Sequence, residues 1–207
     1  MAKKSNHKKI SRRQFMKGMG AGVVGSYTLL PTLEAKALTQ TRESEELQKG
    51  KEWLSLKVNG RKVRMLVEPR TTLSQLLRVH LHLTGTKVVC NQGECGNCTV
   101  LLDGKAVYAC HLLALDAAEK EVLTIEGLLS GEKLHPIQEA FWEHDGFQCG
   151  FCTPGQIMSA YALLLKHPNA TREQIVKGMS GNICRCAAYP KIIESVVAAA
   201  KMRTDSF

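Results

Sequence analysis

Cys90-Asn91-Gln92-Gly93-Glu94-Cys95-Gly96-Asn97-Cys98 is the stretch on which the reading of this chain turns. Cysteines spaced C-x4-C-x2-C, with Cys110 as a distant fourth, match what a plant-type [2Fe–2S] cluster needs, because a tight loop must curl three sulfurs around one edge of the Fe–S rhomb. The other four cysteines form a second set, Cys149-x2-Cys152 and, much later, Cys184-x-Cys186, so none of the eight is left over. Two binuclear clusters in series make the chain a wire for electrons. Structural zinc and disulfides are the alternative readings. Zinc sites with four cysteines usually use C-x2-C knuckles roughly 15–20 residues apart, whereas Cys95/Cys98 and Cys149/Cys152 are separated by 50 residues, and zinc leaves Cys90 unused. An even cysteine count keeps disulfides open, should the chain reach an oxidising compartment, although the closest pairs are too near in sequence for relaxed bridges.

Working outward, Gly93 and Gly96 turn the loop and let backbone N–H groups approach cluster sulfides closely. Upstream, Leu54, Leu56 and Val58 alternate with polar residues, Asn59-Gly60 marks a two-residue hairpin, and Val63, Met65 and Val67 alternate again. Leu73, Leu76, Leu77 and Leu81 then fall at helical spacing behind a Thr71/Thr72 cap. Downstream come a second hairpin, Thr99 to Leu102 and Lys105 to Cys110 around Asp103-Gly104, and a last strand, Val122 to Ile125. Hairpin, helix, cluster loop and further strands predict a β-grasp domain over 53–127.

From about Leu134 the alternation gives way to four helical patterns, predicting an all-α cluster-binding domain over 128–201 and an α+β chain as a whole. His135-Pro136 opens the first helix and Thr153-Pro154 the second, with Ile157, Tyr161, Leu164 and Leu165 on its apolar face. Thr171 and Gln174 spell a capping box for the third, and Pro190 opens the fourth, with Ile193, Val196, Val197 and Ala200. Both cysteine pairs then precede helix N-termini, whose partial positive charge favours an anionic ferric-thiolate centre.

The 207 residues carry a formal charge of +9, but residues 1–37 hold eight Lys and Arg against Glu34 alone, so +7 of it lies there. The remainder, at +2, is too nearly neutral to predict a nucleic-acid face. Ser11-Arg12-Arg13-Gln14-Phe15-Met16-Lys17, an uncharged run to Leu33 and Ala35-Lys36-Ala37 read as a twin-arginine signal peptide with its cleavage site. The 16-residue uncharged run, with Pro31 and four glycines, is shorter than the roughly 20 apolar residues of a membrane span. A flexible lead-in, 38–52, follows. The expected address is the periplasm, with the twin-arginine translocase as a partner.

Three motifs together, Cys90 to Val100, Gln148-Cys149-Gly150-Phe151-Cys152-Thr153-Pro154-Gly155 and Gly181-Asn182-Ile183-Cys184-Arg185-Cys186, closely resemble the small iron–sulfur subunit of molybdenum hydroxylases. That is the xanthine dehydrogenase and aldehyde oxidoreductase family, and the exported, aldehyde-oxidising subset is the one the leader resembles. The resemblance implies a plant-type ferredoxin domain followed by a four-helix [2Fe–2S] domain, a large subunit carrying molybdopterin, and FAD on a medium subunit. It also implies the ligands: Cys149, Cys152, Cys184 and Cys186 for the molybdenum-proximal cluster, and Cys90, Cys95, Cys98 and Cys110 for the distal one. Gln148 and Cys186 match positions that touch the pterin across the subunit interface. The chain itself would carry electrons and have no catalytic residue. An N-heterocycle hydroxylase of isoquinoline or xanthine type and a free-standing two-cluster ferredoxin are the alternatives.

Val89 stands where the family usually has glycine before the first cysteine, and Ala187-Ala188 follow Cys186 where a glycine is common, which bears on the local backbone path. His80, His82, His111, His135, His144 and His167 lie in no H-E-x-x-H or Rieske-type element, and there is no P-loop.

Overall fold

The computed structural model describes residues 50–202. The signal peptide expected over 1–37, and all but the last three residues of the 38–52 lead-in, lie outside the described residues. From Gly50 onward the chain forms one compact unit, built around two hydrophobic cores.

Strands β1 (Glu52–Val58) and β2 (Arg61–Val67) pair antiparallel with Val58 opposite Arg61. Asn59 (φ 49°) and Gly60 (φ 77°) are thereby left as a two-residue turn of the primed kind, whose twist matches that of the strands. Asn59 also ties the hairpin to the rest of the sheet: its Oδ1 accepts from the Thr124 N–H at 2.9 Å and its Nδ2 donates to Thr124 Oγ1 at 3.0 Å. Leu54, Leu56 and Val58 point inward, as the alternation requires.

The expected helix is present but short. α1 (Leu73–Gln75) carries a complete Thr72/Gln75 capping box and passes directly into a π-helical turn, Leu76–His80. The Leu81 N–H bonds to the Leu76 carbonyl at 3.0 Å, which widens the last turn and leaves Leu81 only half-buried, while Leu73, Leu76 and Leu77 are fully enclosed.

β3 (Thr99–Leu102) and β4 (Lys105–Tyr108) form the second hairpin, with Asp103 at φ 47° and Gly104 at φ 76°. β4 stops two residues earlier than the expected Cys110, because the Ala109 carbonyl accepts from the Ser74 N–H at 2.9 Å and draws the chain toward α1. β5 (Glu121–Leu123) is likewise shorter than expected: Thr124 is engaged by Asn59, and Ile125 opens a 3-10 turn, Ile125–Leu128. β5 pairs parallel with β1 and antiparallel with β3, giving a five-stranded mixed sheet in the order β2-β1-β5-β3-β4.

Four helices follow: α2 (Pro136–Glu143), α3 (Thr153–Lys166), α4 (Arg172–Gly178) and α5 (Tyr189–Lys201). Thr171 and Gln174 cap α4 reciprocally, and α2 uses a histidine in the same way: His135 Nδ1 accepts from the Ile137 N–H while Gln138 Oε1 accepts from the His135 N–H. Ile137, Phe141, Met158, Leu164, Ile175, Ile192 and Val196 make the helical core. Leu165, expected on the buried face of α3, is 40% exposed. Leu164, seven residues from Ile157, holds that face, and its neighbour is rotated about 100° away.

β3 joins the two cores. All four of its residues are buried, because both faces of the strand are covered. Val100 and Leu102 enter the sheet core, and Leu101 enters the helical core, as a side-chain period of two demands. Leu101→Ala should therefore cost about 2–5 kcal/mol and loosen both halves at once. Trp53 lies in the sheet and Trp142 in α2, so each can report on one half. In variants retaining a single tryptophan, the fluorescence midpoints of both reporters should fall together; a shift confined to Trp142 would show that the two cores unfold independently.

Candidate metal centres

The first cysteine loop lies between the π-helical turn and β3, and three of its residues take the left-handed region: Asn91 (φ 54°), Gly93 (φ 76°) and Gly96 (φ 70°). Such alternation turns successive N–H groups to one side and makes an anion-binding concavity. The Gln92 N–H points at Cys90 Sγ at 3.4 Å, and the Cys110 N–H at Cys98 Sγ, also at 3.4 Å. Cys95, Cys98 and Cys110 are buried, whereas Cys90 is half-exposed at the rim. The backbone N–H of Gln92, helped by those of Glu94 and Cys95, lowers the Cys90 thiol to about 6. Burial pushes Cys98 up to about 12.

The second quartet repeats this division. Cys149 lies on a turn made by Gly150 (φ 78°), and Cys152 is the N-cap of α3, with no side-chain cap bond of its own. Cys184 and Cys186 lie just before α5. Cys152 and Cys184 are buried, Cys149 is exposed and Cys186 half-buried. Burial raises Cys152 to about 12, and the Phe151 N–H lowers Cys149.

All eight cysteines are free thiols, and they meet in pairs: Cys90 with Cys95, Cys98 with Cys110, Cys149 with Cys186, and Cys152 with Cys184. Among the described residues no group of three or more His, Cys, Asp or Glu side chains converges on a single-ion site. Two pairs side by side are instead what a binuclear centre requires, since each iron of a [2Fe–2S] rhomb takes two thiolates. The donor set and the inward N–H groups therefore fit one such cluster in each quartet.

Gln148 is exposed beside Cys149, so it and the half-buried Cys186 share the outer rim of the second quartet. Ala187, where glycine is common in the family, nevertheless takes the glycine-like conformation at φ 56°. Val89 is 53% exposed beside Cys90. Of the histidines, His135 is consumed by the α2 cap, and His111 packs on Gly93.

The segments carrying the two quartets are joined at backbone carbonyls. The Ile183 N–H donates to the Cys95 carbonyl at 2.9 Å, Asn182 Nδ2 to the Gly96 carbonyl at 2.9 Å, and the Tyr108 hydroxyl to the Gly181 carbonyl at 3.0 Å. Neither Tyr108 nor the close approach of Gly155 to the Gly96 carbonyl is legible in the cysteine spacing; a glycine inside the first turn of a helix is the available signal for the second.

Residues 56–127 match the 2Fe-2S iron-sulfur cluster binding domain family, and residues 124–197 the [2Fe-2S] binding domain family. The aldehyde oxidoreductase iron-sulfur-binding subunit PaoA of Escherichia coli is 47% identical, the match covering 71% of each chain. The nicotine 6-hydroxylase small subunit of Paenarthrobacter nicotinovorans is 44% identical over 70% of this chain and 87% of its own. Among solved structures, a chain of quinoline 2-oxidoreductase from Pseudomonas putida 86 superposes with a TM-score of 0.71 at 41% identity, covering 74% of this chain and 96% of that one. The aldehyde oxidoreductase of Desulfovibrio desulfuricans gives a TM-score of 0.69 at 45% identity, over 72% of this chain and 17% of that much longer chain. With both domains matched in order and eight thiols paired for two binuclear centres, the chain belongs to the family of [2Fe–2S] electron-transfer subunits of molybdenum hydroxylases, the aldehyde oxidoreductase and xanthine dehydrogenase type.

Proposed function

We propose that this chain serves a periplasmic molybdenum hydroxylase that oxidises aldehydes to carboxylic acids. It takes electrons from a molybdopterin site on a large partner subunit and delivers them to FAD on a further subunit or to another acceptor. Cys149 with Cys186 and Cys152 with Cys184 would hold the two irons of the molybdenum-proximal cluster. Cys90 with Cys95 and Cys98 with Cys110 would hold those of the distal one. When bound, each cluster supplies one-electron ferric/ferrous chemistry.

The observation that carries the reading is the hydrogen bond from the Ile183 N–H to the Cys95 carbonyl. Ile183 directly precedes Cys184, so a single hydrogen bond interrupts the chain of covalent bonds between a thiol of one quartet and a thiol of the other. The entry side is the exposed rim of Cys149, Cys186 and Gln148, where the Gln148 amide can donate to and accept from a pterin edge. Phe151 and Ile183 lie within the same motifs and Tyr189 three residues beyond Cys186, all about half exposed. Exposed apolar groups of this kind suit a subunit interface better than the surface of a free-standing ferredoxin. The exit side is Cys90, the least buried thiol of its quartet.

Aldehydes are favoured by the likeness to an aldehyde oxidoreductase subunit and by the twin-arginine leader. N-heterocycles form the second reading, supported by the relatives that act on nicotine and quinoline. Purified complex assayed with an artificial electron acceptor against aldehydes and N-heterocycles separates the two, and turnover of heterocycles alone would reverse the preference.

Cys184→Ser should lower iron from about four to about two atoms per chain and abolish turnover, while the large subunit keeps its molybdenum. Normal steady-state rates in a variant shown to lack that cluster would rule out the route. Lysine in place of both Arg12 and Arg13 should hold this chain and the molybdenum subunit in the cytoplasm, because a complex folded before export needs one twin-arginine address. Fractionation that still finds the large subunit in the periplasm would point to an export signal of its own.

A further inference from the structure

The distance between the two quartets is decided by very few atoms. The Gly96 carbonyl, between Cys95 and Cys98, accepts from the Thr99 N–H at 3.2 Å, from the Thr99 hydroxyl at 2.6 Å and from Asn182 Nδ2 at 2.9 Å. The first two bonds are internal to the loop. The third comes from the segment that carries Cys184, two residues before it, and spans the junction between the domains. Asn182 is 4% exposed and is itself fixed: its N–H donates to the Met179 carbonyl at 3.2 Å, and its carbonyl accepts from the buried Gln156 Nε2 at 3.3 Å.

Glycines let this tether be short. A Cβ on Gly96 would lie 2.5 Å from the Gly181 carbonyl oxygen and 2.7 Å from Asn182 Nδ2. One on Gly155 would lie 2.5 Å from the Gly96 carbonyl oxygen and 2.8 Å from the Asn97 Cα. Gly155 occupies the first turn of α3, directly after the N-cap Cys152 and Thr153-Pro154. Glycine is a poor helix former, and its position here is explained by the backbone it must admit.

We propose that Asn182 is a positioning residue that sets the separation of the two clusters, with Gly96 and Gly155 as the gap that makes its reach possible. The inference rests on the assignment of a cluster to each quartet. Asn182 tethers the proximal segment to the distal loop, and the tether fixes both the electron-transfer distance and the magnetic interaction between the reduced centres. Two paramagnets interact through their dipoles with an inverse-cube dependence on distance, so a small relaxation at this junction is visible spectroscopically even when folding and cluster content are intact.

The test uses the assembled complex, fully reduced, examined by low-temperature electron paramagnetic resonance alongside iron and labile-sulfide analysis. Wild type should show mutual splitting of the two cluster signals. Asn182→Leu, similar in volume but without the amide donor, should lose or narrow that splitting while retaining about four irons per chain. Gly155→Ala, which inserts a methyl against the Gly96 carbonyl, should do the same and keeps the inference falsifiable if the leucine variant does not load. Ser159→Ala removes the hydroxyl that meets Thr99 Oγ1 at 3.3 Å on the same wall but leaves the Asn182 donor and the Gly155 gap in place, and should keep wild-type splitting. Unchanged splitting in loaded Asn182→Leu and Gly155→Ala overturns the proposal, as does an equal loss in Ser159→Ala, which would mark general loosening. Iron and sulfide missing from the wild type would overturn the cluster assignment itself, a failure distinct from an unchanged splitting in fully loaded protein.

Discussion

The contact of the α3 backbone at Gly155 with the loop at Gly96 and Asn97 governs the placement of everything around it. Because Cys152 stands at the head of that helix and Cys95 and Cys98 flank that loop, one contact relates the two thiol quartets. It also brings α3 onto β3, so that Leu101 turns into the helical core while Val100 and Leu102 stay in the sheet core. A side chain at Gly96 or Gly155 would hold the domains apart. Glycine at 96 and 155 lets the backbones come close enough for the Ile183 N–H, the Asn182 amide and the Tyr108 hydroxyl to reach carbonyls across the junction, which satisfies polar groups that burial would otherwise leave unpaired.

The same economy is visible in the electrostatics. Each quartet has an inner, buried pair or trio and an outer rim, and burial raises Cys98 and Cys152 to about 12 while backbone N–H groups lower Cys90 and Cys149. Burial therefore favours the neutral form of Cys98 and Cys152, and iron, which binds thiolates, supports their ionisation. Cross-linking of four positions by one cluster then adds stability to cores that are modest in size.

Local chemistry was legible in the sequence, and long-range geometry was not. Asn59-Gly60 and Asp103-Gly104 form their turns because positive φ is needed at two successive residues, a demand written in the residues themselves. The Thr72/Gln75 and Thr171/Gln174 boxes are equally local. His135-Pro136 marks the start of α2 in the sequence, but the imidazole cap is not legible there because histidine is not among the usual capping groups. The π-helical turn at Leu76–His80, with Leu76 and Leu77 buried, is a departure that periodicity alone does not report. Cysteine spacing divided the thiols into quartets, yet the pairing of Cys149 with Cys186 and Cys152 with Cys184 depends on two helix N-termini meeting in space. Ala187 shows the converse: the backbone keeps its left-handed turn although the residue there is not glycine.

The double-sided burial of β3 has a consequence for how such proteins can be recombined. A cut near residue 124 would separate the domains by sequence, yet each would carry away one side of a wall whose other side belongs to its neighbour: Leu101 and Thr99 from the strand, Ser159 and Gly155 from the helix. Neither piece would be a finished surface. The heritable module is the pair, and a chimaera that joined the sheet half of one such protein to the helical half of another would have to carry both sides of the β3 wall from the same parent.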